Sequence, residues 1–334
     1  MQMYEVQYNP WGTPELRVSR YIGAIIMEFF NQTYIALRGP TGAPQTAIDT
    51  IRRLSDRLTQ ATQISDRRAA VLSLKGLSRE YKQDVGQFAL APLLLVLEND
   101  AKLDEDIGKA VLETLTLLCE VEADILPGPS LKHERELTIR HVDALLGTPS
   151  ALDALLALLA LPMFYSRLGA LKLLSVLLQH RKSVVQDRII QTQATDSILS
   201  VLDEKSDIMR NGKKIMPFRY NRLIPYSTEA LPVLQALIAS HFELQKVLAF
   251  GGVFEKLFSI IRAEQGLDGG ALVQDCFSCI DGILRFNAPA QVRWLPSCFE
   301  RFSHFHSMSD VLSRDLHART NVTLIVIPPH HYAG

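Results

Sequence analysis

Apolar residues in this chain recur at the spacing of a single helix face. The stretch from Leu244 to Asn287 shows it most plainly. Phe254, Leu257, Phe258 and Ile261 fall at i, i+3, i+4 and i+7, the apolar period of an amphipathic helix. A shorter face, Leu244, Val247 and Leu248, precedes them, and a longer one, Val273, Cys276, Ile280, Ile283 and Leu284, follows. The glycine pairs Gly251-Gly252 and Gly269-Gly270 separate the three. No member of the trio can bury its stripe in itself, so each needs neighbours above and below. Helical solenoids meet that need by stacking.

An internal repeat extends this reading. A small or apolar residue, then Leu or Ile four positions on, then Leu or Ile three further, recurs along the chain. It appears at Ala70/Leu74/Leu77, Val111/Leu115/Leu118, Ala170/Leu174/Leu177, Ala230/Leu234/Leu237 and Cys276/Ile280/Ile283. Its first positions are spaced by 41, 59, 60 and 46 residues. The short spacings suit armadillo or HEAT repeats of about 40–47 residues, and the long ones call for two insertions. One falls near 121–150, where Pro127, Gly128, Pro129 and Gly147-Thr148-Pro149 flank a charged run. A short exposed helix is expected there, turning Leu137, Val142 and Leu145 inward. The other is Gly212–Ser227, near 212–227, basic and without a helical stripe. It reads as a lineage-specific loop or as translated intron sequence, which transcript sequencing separates.

Elsewhere, Ile48, Ile51, Leu54 and Leu58 share a face that begins the helical pattern near Thr46. Ser65 offers an N-cap, with Asp66 in the first turn behind it. The adjacent Arg67-Arg68 reads as a solvated face. Ala151–Leu161 is apolar almost all round, as a buried helix would be. Phe164–His180 carries a further stripe, two shorter helices are expected over Ser183–Glu204, and Pro232 sits in the first turns of the next helix, where proline is tolerated.

The segments DRRAAVLSLKGLSREY (66–81), FYSRLGALKLLSVLLQH (164–180), LQKVLAF (244–250), FEKLFSIIRAEQG (254–266) and DGILRFN (281–287) resemble the head of the general vesicular transport factors, the Uso-type Golgi vesicle tethers. One departure is Gly251-Gly252, where that family usually has Glu-Asn. The resemblance runs from about Ala36 to Asn287, the N-terminal part of the family's head. It implies an all-α fold: an armadillo/HEAT-like solenoid, a right-handed superhelix of stacked helix triplets. The expected layout is an irregular leader over 1–45, head repeats over 46–287 and a divergent tail over 288–334. The family's heptad coiled coil lies outside the resemblance, which leaves homodimer formation open.

Composition narrows the chemistry. The 334 residues are 47% hydrophobic with a formal net charge of −1, so no global field favours nucleic acid or anionic lipid. Four cysteines (Cys119, Cys276, Cys279, Cys298) make no disulfide framework and fit a reducing, cytoplasmic setting. Tyr21–Phe30 weakly imitates a targeting segment, but Glu28 interrupts it and it is too short to span a bilayer. Cys276-x-x-Cys279 could serve a thiol enzyme or zinc, yet no second pair or nearby histidine supports it, and packing inside a helix explains both. The histidines His304, His306, His317, His330 and His331 cluster in the tail without partner ligands. Nucleotide-loop, nucleophile-elbow and metalloprotease motifs are missing. The expectation is a non-enzyme with no cofactor and no metal.

Within the repeat, positions two and five after the first residue point away from the leucine stripe. They hold Lys75, Glu113, Lys172, Gln235 and Asp281, which stacking would align into a polar ladder. That ladder is the candidate partner-binding face. The resemblance implies its use: tethering of vesicles in ER-to-Golgi transport, peripheral to Golgi membranes. The implied partners are a Rab/Ypt-type GTPase and other tethering or fusion factors. A rival on the same residues is an unrelated armadillo/HEAT adaptor gripping an extended peptide.

Overall fold

A computed structural model describes residues 46–121, 128–203, 230–264, 271–285 and 287–294, with the backbone alone at 128–130. The leader, the run 212–227, the Gly269-Gly270 break, the tail beyond 294 and its histidines lie outside the described residues. The described helices are α1 (Ala47–Gln60), α2 (Ile64–Leu77), α3 (Lys82–Asn99), α4 (Glu105–Cys119), α5 (Gly128–Leu146), α6 (Pro149–Leu158), α7 (Phe164–Gln191), α8 (Thr195–Val201), α9 (Ala230–Ile238), α10 (Phe242–Phe250), α11 (Val253–Ala263) and α12 (Ala271–Leu284). A last helix of about two turns, α13, covers 288–294. Among the described residues there is no strand.

The repeat motif marks one helix per layer. α2, α4, α7, α9 and α12 each carry one copy of it, and each packs on the next in that order. The motif residues Ala70, Leu74, Val111, Leu115, Ala170, Leu174, Ala230, Leu234, Cys276 and Ile280 are all buried in one continuous core. The all-α solenoid is therefore the fold. Layers complete themselves with helices behind this row: α5 and α6 behind α7, α10 and α11 behind α12.

Local chemistry sets the boundaries. Thr46 caps α1, its hydroxyl accepting from the Asp49 backbone N–H at 3.2 Å. Ile51, Leu54 and Leu58 turn inward from α1, while Ile48 in the first turn is exposed. α2 begins at Ile64, so Gln63, and not Ser65, occupies the cap position, and it makes no side-chain cap. Ile64 packs on the core, and that burial outweighs the capping preference of a serine one turn position later. Within α3, Pro92 cannot donate to the Phe88 carbonyl. The freed carbonyl accepts instead from Ser55 Oγ of α1 at 2.6 Å.

α7 spans 28 residues but is interrupted at Arg181, whose φ of −138° and ψ of 56° are not helical. The expected boundary between a helix ending at His180 and the next is thus a single residue. α5 differs from expectation in length: it is a 19-residue helix. It packs against α3, α4, α6 and α7, and Leu137, Val142 and Leu145 do point into the core. Charged residues on its outer face disguised a helix whose inner face carries few leucines. Between α10 and α11, Gly252 takes φ +88°, a left-handed conformation that glycine adopts without a Cβ penalty.

Candidate binding surface

The five ladder residues sit on the motif helices with their side chains partly exposed: Lys75 on α2, Glu113 on α4, Lys172 on α7, Gln235 on α9 and Asp281 on α12. Between α2 and α4, position five of one layer meets position two of the next. Lys75 Nζ lies 2.5 Å from Glu113 Oε2 across α2 and α4. Gln235 Nε2 donates to the Asp275 carbonyl of α12 at 3.2 Å. Asp281 pairs with Arg285 one turn on. Lys172 lies between the two halves of the row. The ladder residues thus form cross-layer ties at each end while keeping part of each side chain in solvent.

Further along the row, Lys109 Nζ stands 4.4 Å from the Tyr165 ring centroid, and the Tyr165 N–H donates to Glu105 at 2.8 Å. Tyr165 and Leu72 are both exposed there. Aromatic and aliphatic side chains amid half-paired charges suit protein contact, since exposed pairs exchange partners at little cost.

Arg67 and Arg68 are not a solvated face. Arg67 makes a bidentate pair with Asp100, at 2.6 and 2.8 Å, and donates to the Ala61 carbonyl at 2.7 Å. Arg68 pairs with Asp104, which also caps α4 by accepting from the Ile107 N–H at 3.0 Å. The planar guanidinium matches a carboxylate two bonds at a time, so these arginines clamp α2 to the α3–α4 turn. Sequence reasoning missed this because the partners lie about one repeat away.

Cys276 and Cys279 are fully buried in α12. Burial, the Cys276 side chain and Asp275 push the Cys279 thiol far above its ordinary range, and its Sγ lies 3.8 Å from the Leu231 carbonyl. Burial likewise pushes Cys119 up to about 12. Thiols held so firmly protonated are poor nucleophiles. Among the described residues no cluster of His, Cys, Asp and Glu could hold a metal ion, and no helix is long and apolar enough to cross a membrane.

No protein-family model matches the chain. It is 30% identical over 296 residues to the intracellular protein transport protein USO1 of Saccharomyces cerevisiae, covering 81% of this chain and 15% of that protein. With the human general vesicular transport factor p115 it shares 30% identity over 251 residues, 75% of this chain and 24% of the other. A crystal structure of Uso1 superimposes with a TM-score of 0.63 at 28% identity, covering 83% of this chain and 41% of that one. The chain therefore spans less than a third of the curated relatives named here. The match covers most of the chain, and at that extent the unrelated-adaptor reading falls away. By sequence and by fold, the chain belongs to the family of general vesicular transport factors that includes Uso1 and p115.

Proposed function

We propose that this chain works in ER-to-Golgi transport as part of a vesicle tether, through protein–protein binding on the row formed by α2, α4, α7, α9 and α12. The single observation that carries the reading is the similarity, over most of the chain, to proteins named as transport factors. The row itself supplies support of a physical kind. Its residues are half-exposed, polar and cross-linked, so a partner would meet an ordered surface and lose little side-chain entropy on docking.

The proposed partners are a Rab/Ypt-type GTPase and other tethering or fusion factors, which would place the chain in the cytoplasm, peripheral on Golgi membranes. Several weak contacts along a row raise the effective concentration of each, which is how a tether holds a vesicle without one tight site. Retention of the chain on a panel of immobilised GTPases, in GTP and GDP forms, tests this. Selective retention by an early-secretory member in its GTP form is expected. The charge reversals K172E and D281K should weaken it by about tenfold, the effect of losing one or two rim contacts. Equal retention by every member, or retention indifferent to both reversals, would refute the proposed face.

A further inference from the structure

The C-terminal end of α4 is held differently from that of α9. A helix leaves its last four carbonyls without internal partners. At the end of α9, buried amides take them: Gln186 Nε2 donates to the Leu237 carbonyl at 2.6 Å and Gln245 Nε2 to that of Ile238 at 2.8 Å. Asn287 continues this amide series, donating to Gln245 Oε1 at 3.1 Å and capping α13 through Ala290. At the end of α4 the partners are titratable. His141 Nδ1 of α5 lies 3.0 Å from the Leu118 carbonyl, His180 of α7 stands near the Cys119 backbone, and Lys82 Nζ of α3 reaches the Glu120 carbonyl at 2.5 Å.

His141 has little room for a second proton. It is buried, and its other nitrogen, Nε2, abuts Gly86 of α3: a Cβ built there would stand 1.9 Å from it. Nε2 faces that glycine, so a protonated ring would bury a charge against a Cα. The groups facing it add to the cost. Lys82 from α3 sits beside it, bonded to Thr138 Oγ1 at 3.1 Å, with Arg140 on α5 and Arg181 on α7 near the same junction. Only Glu134 among its named electrostatic neighbours favours the cation, and Glu134 is engaged by Lys82 at 2.5 Å. Asp143 is occupied by Arg181, at 2.7 and 2.9 Å, and Asp153 of α6 by Arg188 at 2.5 Å. Glu120 contributes its backbone, and Cys119 stays a neutral thiol.

α5 is also poorly anchored by apolar contact. Its buried stripe is Leu137, Thr138, His141, Val142 and Leu145, two of five being polar. We infer that the α4–α5 junction is an acid-sensitive joint, in which neutral His141 latches α5 onto the end of α4, with His180 of α7 beside the same end, and their protonation releases it. Burial is the first cause holding both imidazoles below their ordinary value near 6.5. For histidines depressed in the folded state, the released form binds the extra proton. The latch is therefore complete above about pH 6.5 and weakens as pH falls below it. Each coupled proton multiplies the open population by about ten per pH unit until the folded pKa is reached.

Hydrogen exchange on the full chain between pH 7.5 and 5.5, corrected for intrinsic rates, tests the inference. α5 amides should lose protection by tenfold or more (about tenfold per coupled proton per pH unit), while α12, joined by amides, keeps its own. The double variant H141N/H180N, whose amides do not titrate and can still donate to the Leu118 carbonyl from position 141, should abolish the difference. Uniform loss across the chain, or an unchanged acid response in the double variant, would overturn it. If that variant does not fold, sequence-assigned imidazole resonances of the unsubstituted chain decide: titration below the ordinary value supports the latch, and titration at or above it removes the latch.

Discussion

Gly86 shows how one side chain's absence organises several others. The His141 ring occupies the volume that a Cβ at position 86 would need. Gly86→Ala is expected to destabilise the chain by about 1–3 kcal/mol through overpacking, read as a lower denaturant midpoint with unchanged slope. The Arg67–Asp100 clamp makes a second test. Asp100 is 8% exposed, so removing its partner strands a largely buried carboxylate. Arg67→Ala should cost about 2–4 kcal/mol, tempered by the 20% exposure of the arginine, and Arg67→Lys should recover only part because an ammonium lacks the fork. Neither site was legible in the sequence. The arginine pair reads as any solvated basic face until the α3–α4 turn is folded back onto it. Buried Cys276, by contrast, follows directly from the apolar stripe that contains it.

Among elements, the motif helices were the most legible, because a period of 3.6 and a repeating Leu/Ile pattern report burial on one side of a helix. α5 was least so: Thr138 and His141 stand where leucines would have announced the inner face. Helix starts were also uncertain, as at α2, where packing of Ile64 fixed the boundary ahead of the serine. The contact between α1 and α3 offers an element-scale prediction. Ser55 satisfies the carbonyl that Pro92 leaves open, so Ser55→Ala should cost about 1–3 kcal/mol, the penalty of an unsatisfied buried acceptor. In a Pro92→Ala background the helix can supply its own N–H, and the cost of Ser55→Ala should shrink by about 1 kcal/mol, a coupling that a double-mutant cycle on urea midpoints would show. Equal costs in both backgrounds would contradict the assignment.

Across the whole molecule, stacking makes stability a sum of layers and their junctions. Leu74 is fully buried where α2 joins the row. Leu74→Ala should therefore cost about 2–5 kcal/mol by cavity formation, and raise exchange mainly in α1–α4 while α10–α12 remain protected. The layer order was readable from the repeat spacings alone. What each junction uses for glue was not, because carbonyl-capping amides and histidines look like any other polar residues until the layers meet. The central claim is that the row of motif helices is the surface on which this vesicular transport factor meets its partners. Hydrogen-exchange footprinting of the full chain with a GTP-loaded early-secretory GTPase tests it most directly. Protection concentrated on α2, α4, α7, α9 and α12, around Lys75, Glu113, Lys172, Gln235 and Asp281, is the predicted result. Protection confined to α1, α3, α6 or α11, with the row unchanged, would contradict it.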